Sequence, residues 1–183
     1  MMRKKPMLAY PVSAKPIDYS KPTFIQPKLD GVRCVIQYEI IEDNIFQGSH
    51  TVKAYSRTGK EWKNIDHILE QLKPFFLKYP KVILDGELYN HDLRDNFEKI
   101  ISLVRKTKPT DEDRLEASRL TQFHCYDIID ETLPFDQRIE FVTQSLMLIG
   151  SSIHTLDTIM VFDEDEAQSI HRSNLKKGYE GSI

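Results

Sequence analysis

The segment Lys28-Leu29-Asp30-Gly31-Val32-Arg33 puts an amine at a strand-like end, then a turn signal, then a fixed cation. A lysine amine attacks an electrophile only when deprotonated, and burial or nearby cations favour that form. Arg33 offers a permanent charge and a forked grip on an anion. Pro27 stiffens the backbone before Lys28, and Gly31 permits a turn that a side chain would obstruct. Read alone, the segment is also compatible with a hairpin bearing surface charges. Glu87 lies in the apolar run Ile83-Leu84-Asp85-Gly86-Glu87-Leu88-Tyr89, where an unpaired carboxylate is costly. A metal, an arginine or a sugar hydroxyl would offset that cost; an edge position facing water would avoid it. Glu180, before Gly181, follows the same logic in a weaker context. Tyr126 offers a flat face to a planar ligand, or a ring to the core. Asp127 alternates to the opposite face, where a structural role suffices. Arg57, before Thr58-Gly59, flanks a turn.

The elements that must position these groups follow from periodicity. Four prolines, at 6, 11, 16 and 22, mark residues 1–22 as an irregular lead-in. Thr23 to Leu29 and Val32 to Ile41 read as strands, with Asp30-Gly31 as the hairpin turn between them. Thr51 to Arg57 is a further strand. Ile65, Ile68, Leu69, Leu72, Phe75 and Phe76 then fall at helical spacing, ending before Pro80. Strands are expected over 81–89, 122–129 and 158–162. Helices are expected around Phe97–Val104, within 106–119, from Pro134 to Ile149, and from the acidic turn 163–166 to Lys176-Lys177-Gly178. Hairpins mixed with helix-separated strands predict an α+β fold of largely antiparallel sheets flanked by helices.

Composition sets the bounds. The 183 residues, 40% apolar and 29% charged, suit one globular domain with a core of its own. No run approaches a membrane span, and no apolar stretch follows the basic start Met1-Met2-Arg3-Lys4-Lys5, so neither a membrane anchor nor a secretory leader is expected. Two cysteines, Cys34 and Cys125, in apolar runs read as buried thiols in a reducing, cytoplasmic setting. The net charge of −3 is unevenly spread: residues 1–60 hold ten Lys and Arg against five Asp and Glu. That basic third suits a phosphate-bearing partner, and equally a solvated surface with uneven charge. Phosphate-loop and dinucleotide fingerprints are absent, as is a serine nucleophile elbow. The segment 91–95 is only superficially similar to a kinase catalytic loop, and the six histidines lack metal spacing.

The K-x-D-G-x-R segment at Lys28 to Arg33 resembles the attachment motif of the covalent nucleotidyltransferases, which comprise ATP-dependent DNA ligases, RNA ligases and mRNA capping enzymes. Four more segments follow in that family's order: Ser56-Arg57-Thr58-Gly59, Asp85-Gly86-Glu87, Tyr126-Asp127 and Glu180-Gly181. The resemblance implies that Lys28 carries the covalent nucleotide, Arg57 reaches the ribose, Glu87 binds ribose and supports metal-dependent steps, Tyr126 stacks on adenine, and Glu180 helps place the metal. Arg33 joins the nucleotide site, with Glu87 and Glu180 as the Mg²⁺ carboxylates. The stretch Leu84 to Lys108 and Ser56 to Lys60 are more similar to compact phage DNA ligases than to RNA ligases or capping enzymes.

The implied substrates are ATP and nicked duplex DNA, acted on by a monomer: AMP moves from ATP to Lys28, then to a 5′-phosphate, and a 3′-hydroxyl displaces it. RNA ligase, capping-type transferase and nucleotide-binding relic are the alternatives; a hydrolase using Glu87 and Glu180 has no further support. The resemblance also leads one to expect a later strand with paired lysines and an oligonucleotide-binding-fold domain. Residues 23–183 are therefore expected to be an incomplete adenylation domain, with full ligation needing more. Gln26 stands where many ligases carry a glutamate.

Overall fold

A computed structural model describes residues 6–41 and 49–183. The basic start, Met1 to Lys5, lies outside the described residues. The chain divides into two compact units, one built from Gly31–Thr155 and the other from Met7–Asp30 with Leu156–Ile183.

The first unit is organised by a five-stranded sheet. Its strands are β3 (Val32–Ile41), β4 (Ser49–Tyr55), β5 (Ile83–Tyr89), β6 (Gln122–Ile128) and β7 (Ile153–Thr155), in the order β4-β3-β5-β6-β7. All neighbours are antiparallel except β6 and β7, which run parallel. Period-two alternation gives the sheet two unlike faces. Cys34, Ile36, Leu84, Leu88, Phe123 and Cys125 point into the core. Against them packs α1 (Asp66–Lys78) through Ile68, Leu72, Phe75 and Phe76. The same core takes Ile100 and Val104 of α2 (Phe97–Val104) and Ile139, Val142 and Leu146 of α4 (Phe135–Leu146). A short 3-10 segment, His91–Asn96, leads into α2. The polar stretch expected to be loop and solvated helix contains α3 (Asp111–Leu120), opened by a capping box. Thr110 Oγ1 accepts from Asp113 N, and Asp113 Oδ2 accepts from Thr110 N.

The second unit contains two short strand pairs and one helix. β1 (Thr23–Ile25) pairs antiparallel with β8 (Ile159–Val161), and β2 (Pro27–Lys28) with β9 (Gly181–Ser182). Between the later strands runs α5 (Glu164–Lys176), whose Asp163 cap accepts from Glu166 N at 2.8 Å. Residues 6–22 form turns but no helix or strand, as the prolines imply.

The hairpin expected at Asp30-Gly31 is a correction. The segment before it pairs with β8 and β9, whereas β3 pairs with β4 and β5. The glycine serves close approach instead of a turn. A Cβ on Gly31 would lie 2.5 Å from Glu87 Cγ and 2.6 Å from the Leu88 carbonyl oxygen. The three-residue β7 is a second difference, too short to leave an alternation in sequence.

Candidate functional site

Lys28 and Glu180 meet in the second unit. β2 and β9 pair so that Lys28 is opposite Gly181, and Glu180 N donates to the Lys28 carbonyl at 3.1 Å. The exit of α5 delivers Glu180 there. Gly178 adopts φ 88°, the left-handed conformation that ends a helix. Tyr179 N then donates to Asn174 O at 3.1 Å, and buried Asn174 reaches Ser182 Oγ at 2.9 Å. The Lys28 ammonium donates directly to Glu180 Oε1. Both side chains are near half exposure, 41% and 46%, so the pair contributes at most about 1 kcal/mol to folding. It is therefore cheap to rearrange and leaves the amine accessible.

Arg33, Glu87 and Tyr126 come together on the polar face of the first unit's sheet. Arg33 sits opposite Glu87 across β3 and β5, and Glu87 sits opposite His124 across β5 and β6. The Arg33 guanidinium lies 5.5 Å from the centre of the Tyr126 ring. It also grips Asp85: Nε donates to Oδ1 at 2.9 Å, and Nη2 donates to Oδ2. Burial pushes the Asp85 carboxyl up, with Arg33 opposing that shift, and burial likewise raises the Tyr126 phenol. Tyr126 owes its place to an irregularity in β6. Asp85 pairs with Asp127 and Gly86 with Cys125, leaving Tyr126 as the extra residue of a bulge. Gly86 allows this because the strands approach too closely for a side chain: its Cβ would lie 2.4 Å from His124 O.

Arg57 is exposed on the turn after β4. Gly59 there has φ 87°, and its N–H donates to Ser56 O at 2.9 Å. Lys60 N donates to Ser56 Oγ at 3.0 Å. Ser56 and Gly59 are thus the turn's framework, and Arg57 is the group it displays. The cysteines are free and buried, as expected. Gln26 is buried and donates through Nε2 to Thr158 Oγ1 at 2.8 Å, which ties β1's exit to β8.

Asp85 as the partner of Arg33 and Arg138 as the partner of Asp127 escaped the sequence reading. The charges of each pair are distant in sequence. A carboxylate in an apolar strand, as at Asp85 and Asp127, was the available signal.

Glu87 and Glu180 carry the hard carboxylate oxygens that Mg²⁺ prefers. Among the described residues no three His, Cys, Asp or Glu side chains gather as a metal cage. A magnesium ion held mostly by substrate phosphates and water needs only one or two protein carboxylates, so Glu87 in the first unit and Glu180 in the second each have suitable donor chemistry by themselves. No helix among the described residues is long and apolar enough to cross a membrane.

Solved structures place the fold in a class. The ATP-dependent DNA ligase of bacteriophage T7, in complex with ATP, matches with TM-score 0.61 and 17% identity, over 88% of this chain and 56% of that one. A structure from a study of Lig E DNA ligases matches with TM-score 0.69 and 16% identity, over 99% and 61%. The fold is that of the nucleotidyltransferase domain of DNA ligases. In sequence, a DNA ligase of African swine fever virus is 31% identical over 164 residues, covering 87% of this chain and 35% of the viral protein. The chain thus spans about a third of the curated relatives it matches. The model of the ATP dependent DNA ligase domain matches residues 6–183, and the chain belongs to that family.

Proposed function

We propose that this chain is the nucleotide-accepting part of an ATP-dependent DNA ligase and that Lys28 carries AMP. The observation that carries the reading is the Lys28–Glu180 contact, an accessible amine paired with a carboxylate. The ammonium must lose a proton before it attacks, and the contact with Glu180 supports that carboxylate as the group through which the proton leaves. The Lys28 nitrogen then forms a bond to the α-phosphorus of ATP while the bond to the bridging oxygen breaks. That electron pair leaves with pyrophosphate. A 5′-phosphate oxygen at a nick next displaces the lysine from AMP, and the 3′-hydroxyl finally displaces AMP and joins the strands.

In this reading Tyr126 stacks on the adenine, while Arg57 and Glu87 hold the ribose. Arg33, held by Asp85, sets the positive charge beside the ring. Mg²⁺, when bound, would neutralise phosphate charge as pyrophosphate departs. Glu87 and Glu180 would each offer it oxygen. We assign residues 23–183 to the adenylation domain, acting as a monomer in a reducing cytoplasm. The reaction of the whole ligase belongs to the same proposal.

The test incubates the chain with ATP, Mg²⁺ and a nicked duplex bearing a 5′-phosphate. AMP appearing on that 5′-phosphate, from ATP and not GTP, supports the reading. AMP transferred only to a nicked RNA strand, or label taken only from GTP, overturns it.

A further inference from the structure

We propose that Asn174 is a positioning residue for Glu180: it holds the chain on both sides of Glu180, at Tyr179 and at Ser182, and so keeps the carboxylate against Lys28. The inward face of α5 follows helical spacing. Ala167, Ile170 and His171 are half-buried, and Asn174 continues the same stripe one turn further on. Among the described residues, Asn174 is the one in α5 that is buried, at 6% exposure. An apolar side chain would complete that stripe without cost, whereas a buried amide must be hydrogen-bonded to be tolerated.

The amide is used on the strand that follows. Asn174 Nδ2 donates to Ser182 Oγ at 2.9 Å, and His171 Nδ1 lies 3.3 Å from the same oxygen. The Asn174 carbonyl accepts from Tyr179 N at 3.1 Å. One residue of the helix thus brackets Glu180-Gly181. The ladder alone gives this stretch little support. β2 and β9 pair over two residues each, and Pro27, opposite Ser182, brings no N–H to the pairing. The Lys28–Glu180 contact is half-exposed and weak, so it does not fix the backbone that carries it. The tie from Asn174 to Ser182 comes from a helix instead, and it joins the end of β9 to the stripe that seats α5.

The inference rests on the reading that Glu180 serves AMP attachment to Lys28, and the experiment separates the two. Asn174→Leu removes the donor and fills the apolar stripe; Ser182→Ala removes only the hydroxyl. The backbone bond from Tyr179 survives both, so both read the side-chain tie. Each is made in the full chain, alone, together and with Glu180→Gln, and melting curves follow folding. If Asn174→Leu does not fold, Ser182→Ala carries the test. Each single change should slow AMP attachment at saturating ATP about tenfold, the scale of coupling between contacting residues. The KM for ATP should stay within about threefold, because the misplaced group serves the transfer step. The two changes together should cost no more than either alone, and neither should add to Glu180→Gln.

Amide hydrogen exchange gives a second readout without chemistry. The Glu180 amide, which donates to the Lys28 carbonyl, should exchange about tenfold faster in both variants, while the amides of β5 keep their rates. An equal loss of rate with and without Glu180 overturns the proposal, as does a rise in KM alone or an unchanged Glu180 amide. If the native chain neither binds ATP nor gains AMP, the functional reading falls. Amide exchange alone then decides the positioning claim.

Discussion

His124 offers a pH test of how tightly the polar face is closed. Its ring stacks on His154 at 4.8 Å, meets Tyr89 edge-on at 5.4 Å, and faces Glu87 across the strand. His124 Nε2 lies 3.0 Å from Gln122 Oε1, a geometry in which the ring nitrogen donates. Burial, with smaller contributions from His154 and His91, pushes its pKa down to about 3. In the unfolded chain the value returns to about 6.5. The folded state therefore refuses a proton that the unfolded state accepts. Stability from this group is complete above about pH 6.5 and is lost as pH falls toward 3. Between pH 7.5 and pH 5 the loss works out at about 2 kcal/mol. Urea unfolding of the native chain and His124→Phe at both pH values measures it. The native chain should lose about 2 kcal/mol more than the variant on acidification. Equal pH dependence in the two proteins would refute the reasoning, because every other titrating group is shared.

Gly86→Ala should destabilise by about 2 kcal/mol, read from the urea midpoint, since a Cβ there would lie 2.4 Å from His124 O and 2.6 Å from the Phe123 ring. Arg33→Met should cost about 3 kcal/mol in the same assay, because it leaves the Asp85 carboxylate buried without its fork. Adding Asp85→Asn should recover part of that loss. Lys28→Ala and Glu180→Gln should each change stability by less than about 1 kcal/mol while AMP attachment is abolished or slowed, so melting curves and AMP incorporation should part company.

The sequence exposed long elements well because amphipathic spacing survives in one dimension. The run from Ile65 to Phe76 and the acidic start and glycine end of α5 correspond closely to the helices observed. The wrong partner for Thr23–Leu29 has a physical origin. Asp30-Gly31 has the composition of a turn, but pairing is set by edges supplied from residues 159–161 and 181–182. A local signal cannot reveal partners more than 130 residues away. The site residues were legible by type: Lys28 with Glu180, and Arg33 with Glu87 and Tyr126, are brought together within their own units. The forks made by Arg33 on Asp85 and Arg138 on Asp127 were not, because they depend on sheet register and on the bulge at Tyr126.

The central claim is that Lys28 is the nucleophile that takes AMP from ATP. Peptide mapping of the chain after incubation with ATP and Mg²⁺ tests it most directly. The account predicts AMP on the peptide containing Lys28, none after incubation with GTP, and none in Lys28→Ala. AMP on another residue, or a chain that gains AMP equally well without Lys28, would contradict it.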